Sequence, residues 1–265
     1  SSGGTVQVFT RNPGDAPERN TYLRTSSAHR SFAGRFEATQ ILSERTAILI
    51  GGGGKSFGDL QGGQDIGRQT GTGYDEQNLD IKVRHLLSED ARLTLLHQHL
   101  RQNNVPRTHK TIHAKSFNGT TIGNELRHEL DQERNLTYLQ YHRNLDGELA
   151  DSLFFSLSWQ EQNEVRDRVK PSSTELQGFE VGTLGLILQA DGTATLGKWT
   201  AGIDYYGDKV NSFKTKDGIV KIQGPVGDDS TYDLLGAYAN LESPLDNKTT
   251  LTLGGRYTFA EAEAS

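Results

Sequence analysis

Between Thr250 and Phe259, Leu251, Leu253, Gly255, Tyr257 and Phe259 fall on one side of an extended chain, and Thr250, Thr252, Gly254, Arg256 and Thr258 on the other. That alternation is the period of a β-strand with one apolar and one wet face. The preceding arm repeats it with Leu235, Ala237, Ala239 and Leu241, and Ser243, Pro244, Asp246 and Asn247 between the arms supply turn chemistry. The same pattern predicts strands through Leu79, Ile81 and Val83, through Leu153, Phe155, Leu157 and Trp159 against Ser152, Ser156, Ser158 and Gln160, and through Trp199, Ala201, Ile203 and Tyr205. Extended segments are also expected over 22–29, 35–42, 46–57, 91–101, 135–142 and 175–189. In 91–101 Leu93 and Leu95 share a face, while Leu96 and Leu100 break the alternation. Asn124 to Glu133 has the charge density of a helix or a solvated loop.

The connections form a second pattern. Short turns are predicted at 43–45, 87–90, 145–151, 190–192 and 243–248, and long polar connections at 58–73, 103–133, 161–174 and 208–230, in alternation. A soluble sandwich has no reason to gather its long loops at one end, whereas an outer-membrane barrel has short turns on one side and long loops on the other. Aromatics near the strand ends, Tyr74, Tyr141, Trp159, Trp199, Tyr205, Tyr206, Tyr232, Tyr257 and Phe259, would suit the girdles of such a barrel.

Composition narrows the field. Of 265 residues only 33% are hydrophobic, and the net charge of −6, with 28 basic residues dispersed along the chain, argues against a nucleic-acid partner. Cysteine is absent, so there is no disulfide framework, thiolate metal site or cysteine nucleophile. Methionine is absent too, and the start at Ser1 carries no charged or apolar signal region, as expected of a mature or internal piece of a longer protein. The longest apolar runs, Ala47 to Ile50 and Leu184 to Leu188, are far short of the roughly 18 residues of a membrane helix, which excludes helical spans and leaves a barrel open.

The opening SSGGTVQVFTRNP, with a Gly-Gly pair entering a short strand before Asn12-Pro13-Gly14, resembles the end of the plug domain of TonB-dependent outer-membrane receptors. The VPRT of Val105 to Thr108, the WTAGIDYYGD of Trp199 to Asp208 and the LTLGGRYTF of Leu251 to Phe259 resemble barrel segments of the same family. The resemblance implies an all-β fold, a transmembrane antiparallel β-barrel of which this chain would supply about 11 of roughly 22 strands around a plug. Residues 1–14 would end the plug domain and 15–265 would form the N-terminal half of the barrel. The implied function is TonB-dependent import of a scarce large nutrient of the iron siderophore, haem or cobalamin class. Its partners would be outer-membrane lipid, the extracellular nutrient and the TonB complex, with no nucleic acid and no resident cofactor. An extracellular β-rich structural or adhesive segment is the rival from another class.

Three constellations invite a chemical reading. Ala47 to Ser56, AILIGGGGKS, suggests a phosphate-binding loop, but the obligatory first glycine of G-x-x-x-x-G-K-[ST] is Leu49, so a strand running into a loop is expected instead. Eight histidines form the second: His29, His85, His97, His99, His109, His113, His128 and His142. Haem or metal contact is one reading. Solvated loop and lumen-facing residues are the other, because no HExxH or paired-carboxylate spacing accompanies them. The carboxylates form the third, and they cluster in expected loops with no nucleophile-elbow pattern, so no catalytic residue is assigned and the chain reads as a non-enzyme. Arg107, His109, His113 and His128, in or beside the longest polar connection, are the candidate ligand contacts, and no metal site is assigned.

Overall fold

The computed structural model describes residues 10–27, 29–63, 66–116, 119, 121–145, 147, 149–221 and 223–264; the expected plug strand before Thr10 lies outside them. The strands, in chain order, are β1 (Glu18–Ser26), β2 (Ser31–Ser43), β3 (Thr46–Phe57), β4 (Leu60–Gln61), β5 (Arg68–Gln69), β6 (Tyr74–Leu86) and β7 (Ala91–Pro106). Then follow β8 (Arg127–Asn144), β9 (Ser152–Lys170), β10 (Ser173–Ala194), β11 (Gly197–Lys216), β12 (Ile219–Val220), β13 (Ser230–Pro244) and β14 (Thr250–Glu263). One antiparallel sheet takes the order β1-β2-β3-β6-β7-β8-β9-β10-β11-β13-β14, with β12 on β11 and β4-β5 as a separate small hairpin. Eleven strands thus pair strictly with their sequence neighbours in an up-and-down wall, as the alternation predicts.

Register sorts the side chains onto two faces. Ile48, Val83, Leu95, Leu139, Leu157, Leu186, Tyr205, Leu235 and Phe259 are successive cross-strand partners and form one continuous row on the outer face. Leu95, Leu139, Leu157, Leu235 and Phe259 in this row are exposed. Trp159 and Trp199 bracket the apolar zone, opposite Leu184 and Gly192 of β10. Between those positions β10 climbs about 27 Å at about 3.4 Å per residue. Tilted like a barrel strand, that rise approaches the roughly 25 Å height of an outer-membrane apolar band. At the upper edge the Trp159 indole N–H donates to Glu161 Oε1 at 3.1 Å, the posture of a ring between hydrocarbon and water. A soluble domain of this mass would expose about 11,500 Å². This chain exposes 17385 Å², and among the described residues its only buried apolar side chains are Pro13, Ala47, Leu49, Ala91, Leu96, Ala114 and Leu130. The outer apolar face is left uncovered by any other element among the described residues.

Several expected boundaries move. The connection expected at 161–174 is strand: β9 runs to Lys170 and β10 restarts at Ser173, so only Pro171 and Ser172 join them. Both faces are polar there because the hairpin rises past the apolar zone, where a sheet carries water on both sides and looks like loop sequence. For the same reason the helix or loop expected at 124–133 becomes strand from Arg127, the long connection of 103–133 shrinks to 107–126, and that of 208–230 to 217–229. The strict alternation of short and long connections therefore fails at 171–172, and again at 27–30, where β1 turns into β2. The turn expected at 190–192 lies inside β10, where Ala190 pairs with both Leu153 and Ala201; the chain reverses at 195–196. Gly192 is there to admit the Trp199 indole, whose ring would stand 2.6 Å from an added Cβ.

The glycine run 51–54 also stays in the middle of β3. Gly53 meets the carbonyl of Gly34, 2.7 Å from where its Cβ would be, so bare backbone is required for β2 and β3 to pack as they do. Leu96 and Leu100 face inward with Leu49, and this resolves the broken alternation of β7. Tyr74, Tyr206 and Tyr232 share the inner face as well, so they do not belong to a lipid girdle.

Candidate functional site

The inner face carries two features that a plain wall does not need. The first is the segment just ahead of β1. Thr10 to Asp15 runs along the inner wall, with Pro13 fully buried. Lys82 of β6, only 4% exposed, donates to Thr10 Oγ1 at 2.8 Å. Arg11 pairs with Glu37 at 3.1 Å and with Glu18, and Asp15 pairs with Arg84 at 2.6 Å. Arg35 completes the cluster, bonding Asp80 at 2.7 Å, Asn78 at 2.9 Å and Glu37 at 2.8 Å. A cavity of 350 Å³ lies beside the segment, lined by Thr10, Arg11, Leu49, Lys82 and Leu96 among others.

The second feature is the upper inner wall above the apolar zone. A bulge in β7 between Gln102 and Val105, with Asn104 at φ 51 and its N–H on Asp131 Oδ1 at 2.7 Å, shifts the parity of the strand by one residue. Past it the Arg107 amide donates to the His128 carbonyl at 2.8 Å, which places Arg107 in the inner row continued by His128, Arg168, Glu175 and Lys216. The row beneath holds Val105, Leu130, Arg166, Gln177 and Lys214. Glu175 is buried and gathers Arg168 at 2.7 Å, Arg166 at 3.1 Å and Lys214 at 3.3 Å. Burial acts to raise its carboxyl, but the Lys214 hydrogen bond and the charges of Arg168, Lys214 and Arg166 outweigh burial and hold it below the usual carboxylate range.

The described parts of the connection, 107–116 and 121–126, fold over this wall. Thr111 and Glu125 form a parallel bridge, Ile112 N–H donates to Glu125 O at 2.9 Å, and Thr111, Ala114 and Glu125 are buried. Glu125 accepts from His128 Nδ1 at 3.1 Å, so the imidazole carries its proton on Nδ1, and its Nε2 has no partner. Burial, the largest influence, holds His128 below the ordinary imidazole value; Arg166 and His109 push the same way and Glu125 opposes them. Burial therefore favours the neutral imidazole at His128.

The structure brings the four candidate ligand contacts into one neighbourhood. The His109 and His128 rings are 5.8 Å apart, and Arg107, His113 and His128 line a cavity of 270 Å³ together with Thr108, Thr111 and Gly71. His97 and His99 are not part of it: they face outward and are tied to Thr137 at 2.9 Å and Asn135 at 2.8 Å. Lys55 of the glycine-rich stretch pairs with Glu76 at 2.6 Å, as suits a strand residue. Among the described residues no group of three His, Asp or Glu side chains is placed to hold a metal ion. Sequence reasoning missed Arg166, Arg168, Glu175, Lys214 and Lys216; the available signal was the alternation of Glu164, Arg166, Arg168 and Lys170 against Glu161, Asn163, Val165 and Asp167.

With this geometry in view, the fold matches solved outer-membrane receptors. The chain superposes on the copper transporter OprC with a TM-score of 0.77 at 15% identity, over 97% of this chain and 40% of that one. For the ferric enterobactin receptor PfeA from Pseudomonas aeruginosa the TM-score is 0.71 at 14% identity, over 95% and 40%. For the alcaligin outer-membrane receptor FauA from Bordetella pertussis it is 0.61 at 11% identity, over 96% and 39%. These neighbours are TonB-dependent receptors, and the chain has the fold of part of their barrels. It spans about two-fifths of the length of those structures. No family model matches the sequence, and no curated protein matches it.

Proposed function

We propose that this chain is part of a TonB-dependent outer-membrane receptor that imports a scarce metal nutrient, as an ion or in a chelate. The observation that carries the reading is the Thr10–Asp15 segment: chain preceding the first barrel strand lies inside the wall, bonded to buried Lys82, as in a barrel filled by its own plug. On this reading residues 1–14 end the plug domain and 15–265 are the N-terminal half of the barrel. The outer row from Ile48 to Phe259 meets lipid, and the end bearing connections 58–73, 107–126 and 217–229 faces the outside of the cell. Arg107, His109, His113 and His128 then sit where arriving cargo first meets the inner wall. The TonB complex, engaged through another part of the receptor, supplies the energy to move the plug. The neighbours are named for copper, ferric enterobactin and alcaligin, which supports a metal nutrient and a transport role in place of an enzymatic one.

The test is uptake. A strain lacking the receptor gene, and the same strain complemented, should be compared for accumulation of labelled metal chelates with and without a working TonB complex. Receptor-dependent and TonB-dependent accumulation of at least one metal nutrient is expected. Equal accumulation in all strains across the panel would refute the import reading.

A further inference from the structure

We infer that the cargo recognised by the upper inner wall is a metal chelate carrying at least two negative charges, not a bare metal cation. The inference rests on the import reading above and specifies its substrate class. In the two inner rows crossing β7 to β11 stand five cations, Arg107, Arg166, Arg168, Lys214 and Lys216, and a single carboxylate, Glu175. Glu175 is already shared among three of them, and Arg107 and Lys216 make no ion pair among the described residues. The loop carboxylate Glu125 is buried beneath Lys170 and Arg168, each at 3.8 Å, and is hydrogen-bonded to His128. The rows and their flank therefore hold a surplus of positive charge facing the lumen.

The outer face of the same strands has the opposite sign. Glu129, Asp131, Glu133 and Asp167 project away from the lumen beside these rows, with Glu161 and Glu180 lower on the same face, relieved by Arg101, Arg127 and Lys209. Because successive residues alternate between faces, a mixed-charge sequence has been sorted into a basic lining and an acidic exterior. A concave wall of one sign concentrates ligands of the other sign and speeds their capture. Guanidinium groups in addition offer paired donors to carboxylate, catecholate or phosphate oxygens. A free metal cation would meet repulsion here, and no three-donor group is present among the described residues to offset it. Two charges on the cargo match the two wall cations that make no ion pair among the described residues.

The experiment uses the full-length receptor in detergent micelles and four probes: ferric citrate, a triply negative ferric tricatecholate, a neutral ferric trihydroxamate and Cu²⁺ alone. Arg107→Gln/Lys216→Gln removes cations that make no ion pair, so the wall keeps its structure; Arg166→Gln/Arg168→Gln removes those that hold Glu175. The anionic chelates should bind, should weaken as salt rises, and should lose roughly tenfold in affinity for each cation removed. Tighter binding of the neutral chelate or of Cu²⁺ would overturn the inference, as would anion affinity unchanged in both double variants or a failure of every probe to bind. TonB-dependent uptake of the neutral chelate or of copper would leave the import reading standing and remove only the charge assignment. Salt-sensitive anion binding without uptake of any probe would do the reverse.

Discussion

Leu157 and Ser158 are neighbours in β9, yet they stand on opposite faces of the sheet. Leu157 lies in the outer row between Leu139 and Leu186, whereas Ser158 faces inward between Tyr138 and Gly185. A guanidinium at the level of Leu157 would have to be stripped of water or drag water into hydrocarbon, at a cost of about 2 to 4 kcal/mol near mid-membrane. At Ser158 it would stay in the lumen. Leu157 stands only two residues below Trp159, near the upper edge of the apolar zone, so in the full receptor Leu157→Arg is expected to lower the unfolding free energy by part of that amount, and Ser158→Arg by less still. Equal losses in a urea titration from lipid vesicles would show that the faces are assigned wrongly.

A second residue-scale consequence follows from His128. Its folded pKa is depressed by burial, so the unfolded chain binds its proton first as pH falls. Stability from the upper wall should thus be complete above the ordinary imidazole value of about 6.5 and should decline as pH drops below it. Glu175 adds a lower window, because its depressed carboxyl gives stability that is lost only below the ordinary carboxylate range near about 4.3. Hydrogen exchange of the β8 and β9 amides at pH 8 and pH 5.5 separates the two. Faster opening at the lower pH is expected in the native receptor and should vanish in His128→Gln, and a pH response that survives the substitution would assign it elsewhere.

At the scale of elements, the hairpin of β9 and β10 shows both what could be read from the chain and what could not. Leu153, Phe155, Leu157 and Trp159 announce a strand because one face is apolar. From Glu161 onward no face is, and the hydrophobic period that marks a strand disappears although the ladder continues to Lys170. Most strands were therefore legible inside the apolar zone, where the turn expected at 190–192 and the outward facing of Tyr206 were exceptions, and illegible above it. Pairing there rests on backbone hydrogen bonds and on ion pairs such as Arg166 with Glu175. The candidate site shared this fate. Arg107 could be named as a candidate, but its row depended on the one-residue bulge at Asn104, which no periodicity announces. Gly192 misled in the other direction: it resembles a turn glycine and is instead the floor beneath Trp199. A tight 171–172 connection at the summit of two long strands should tolerate an inserted epitope and display it on intact cells. An epitope at 88–89, at the opposite end, should label only after permeabilisation. The reverse pattern would invert the topology.

Taken as one object, the wall is open. Among the described residues β1 pairs only with β2 and β14 only with β13, so each leaves a row of backbone N–H and C=O groups without a strand partner there. In water such an edge is solvated, but in hydrocarbon each unpaired group costs several kcal/mol. About ten of them outweigh the roughly 5 to 15 kcal/mol that holds a whole domain together. The outer row cannot escape to water either, because Leu235 and Phe259 next to the β14 edge are among its exposed apolar side chains. Residues 1–265 expressed by themselves are therefore not expected to form a stable closed unit, whereas a receptor that supplies strands to both edges should. Refolding the two into detergent or liposomes and comparing heat-modifiable gel migration and protease resistance measures the difference. The full receptor should migrate as a compact, protease-resistant species, and the 265-residue piece as an expanded or aggregated one. A soluble, monomeric, protease-resistant piece obtained without detergent would contradict the lipid-facing wall and favour an extracellular structural or adhesive role.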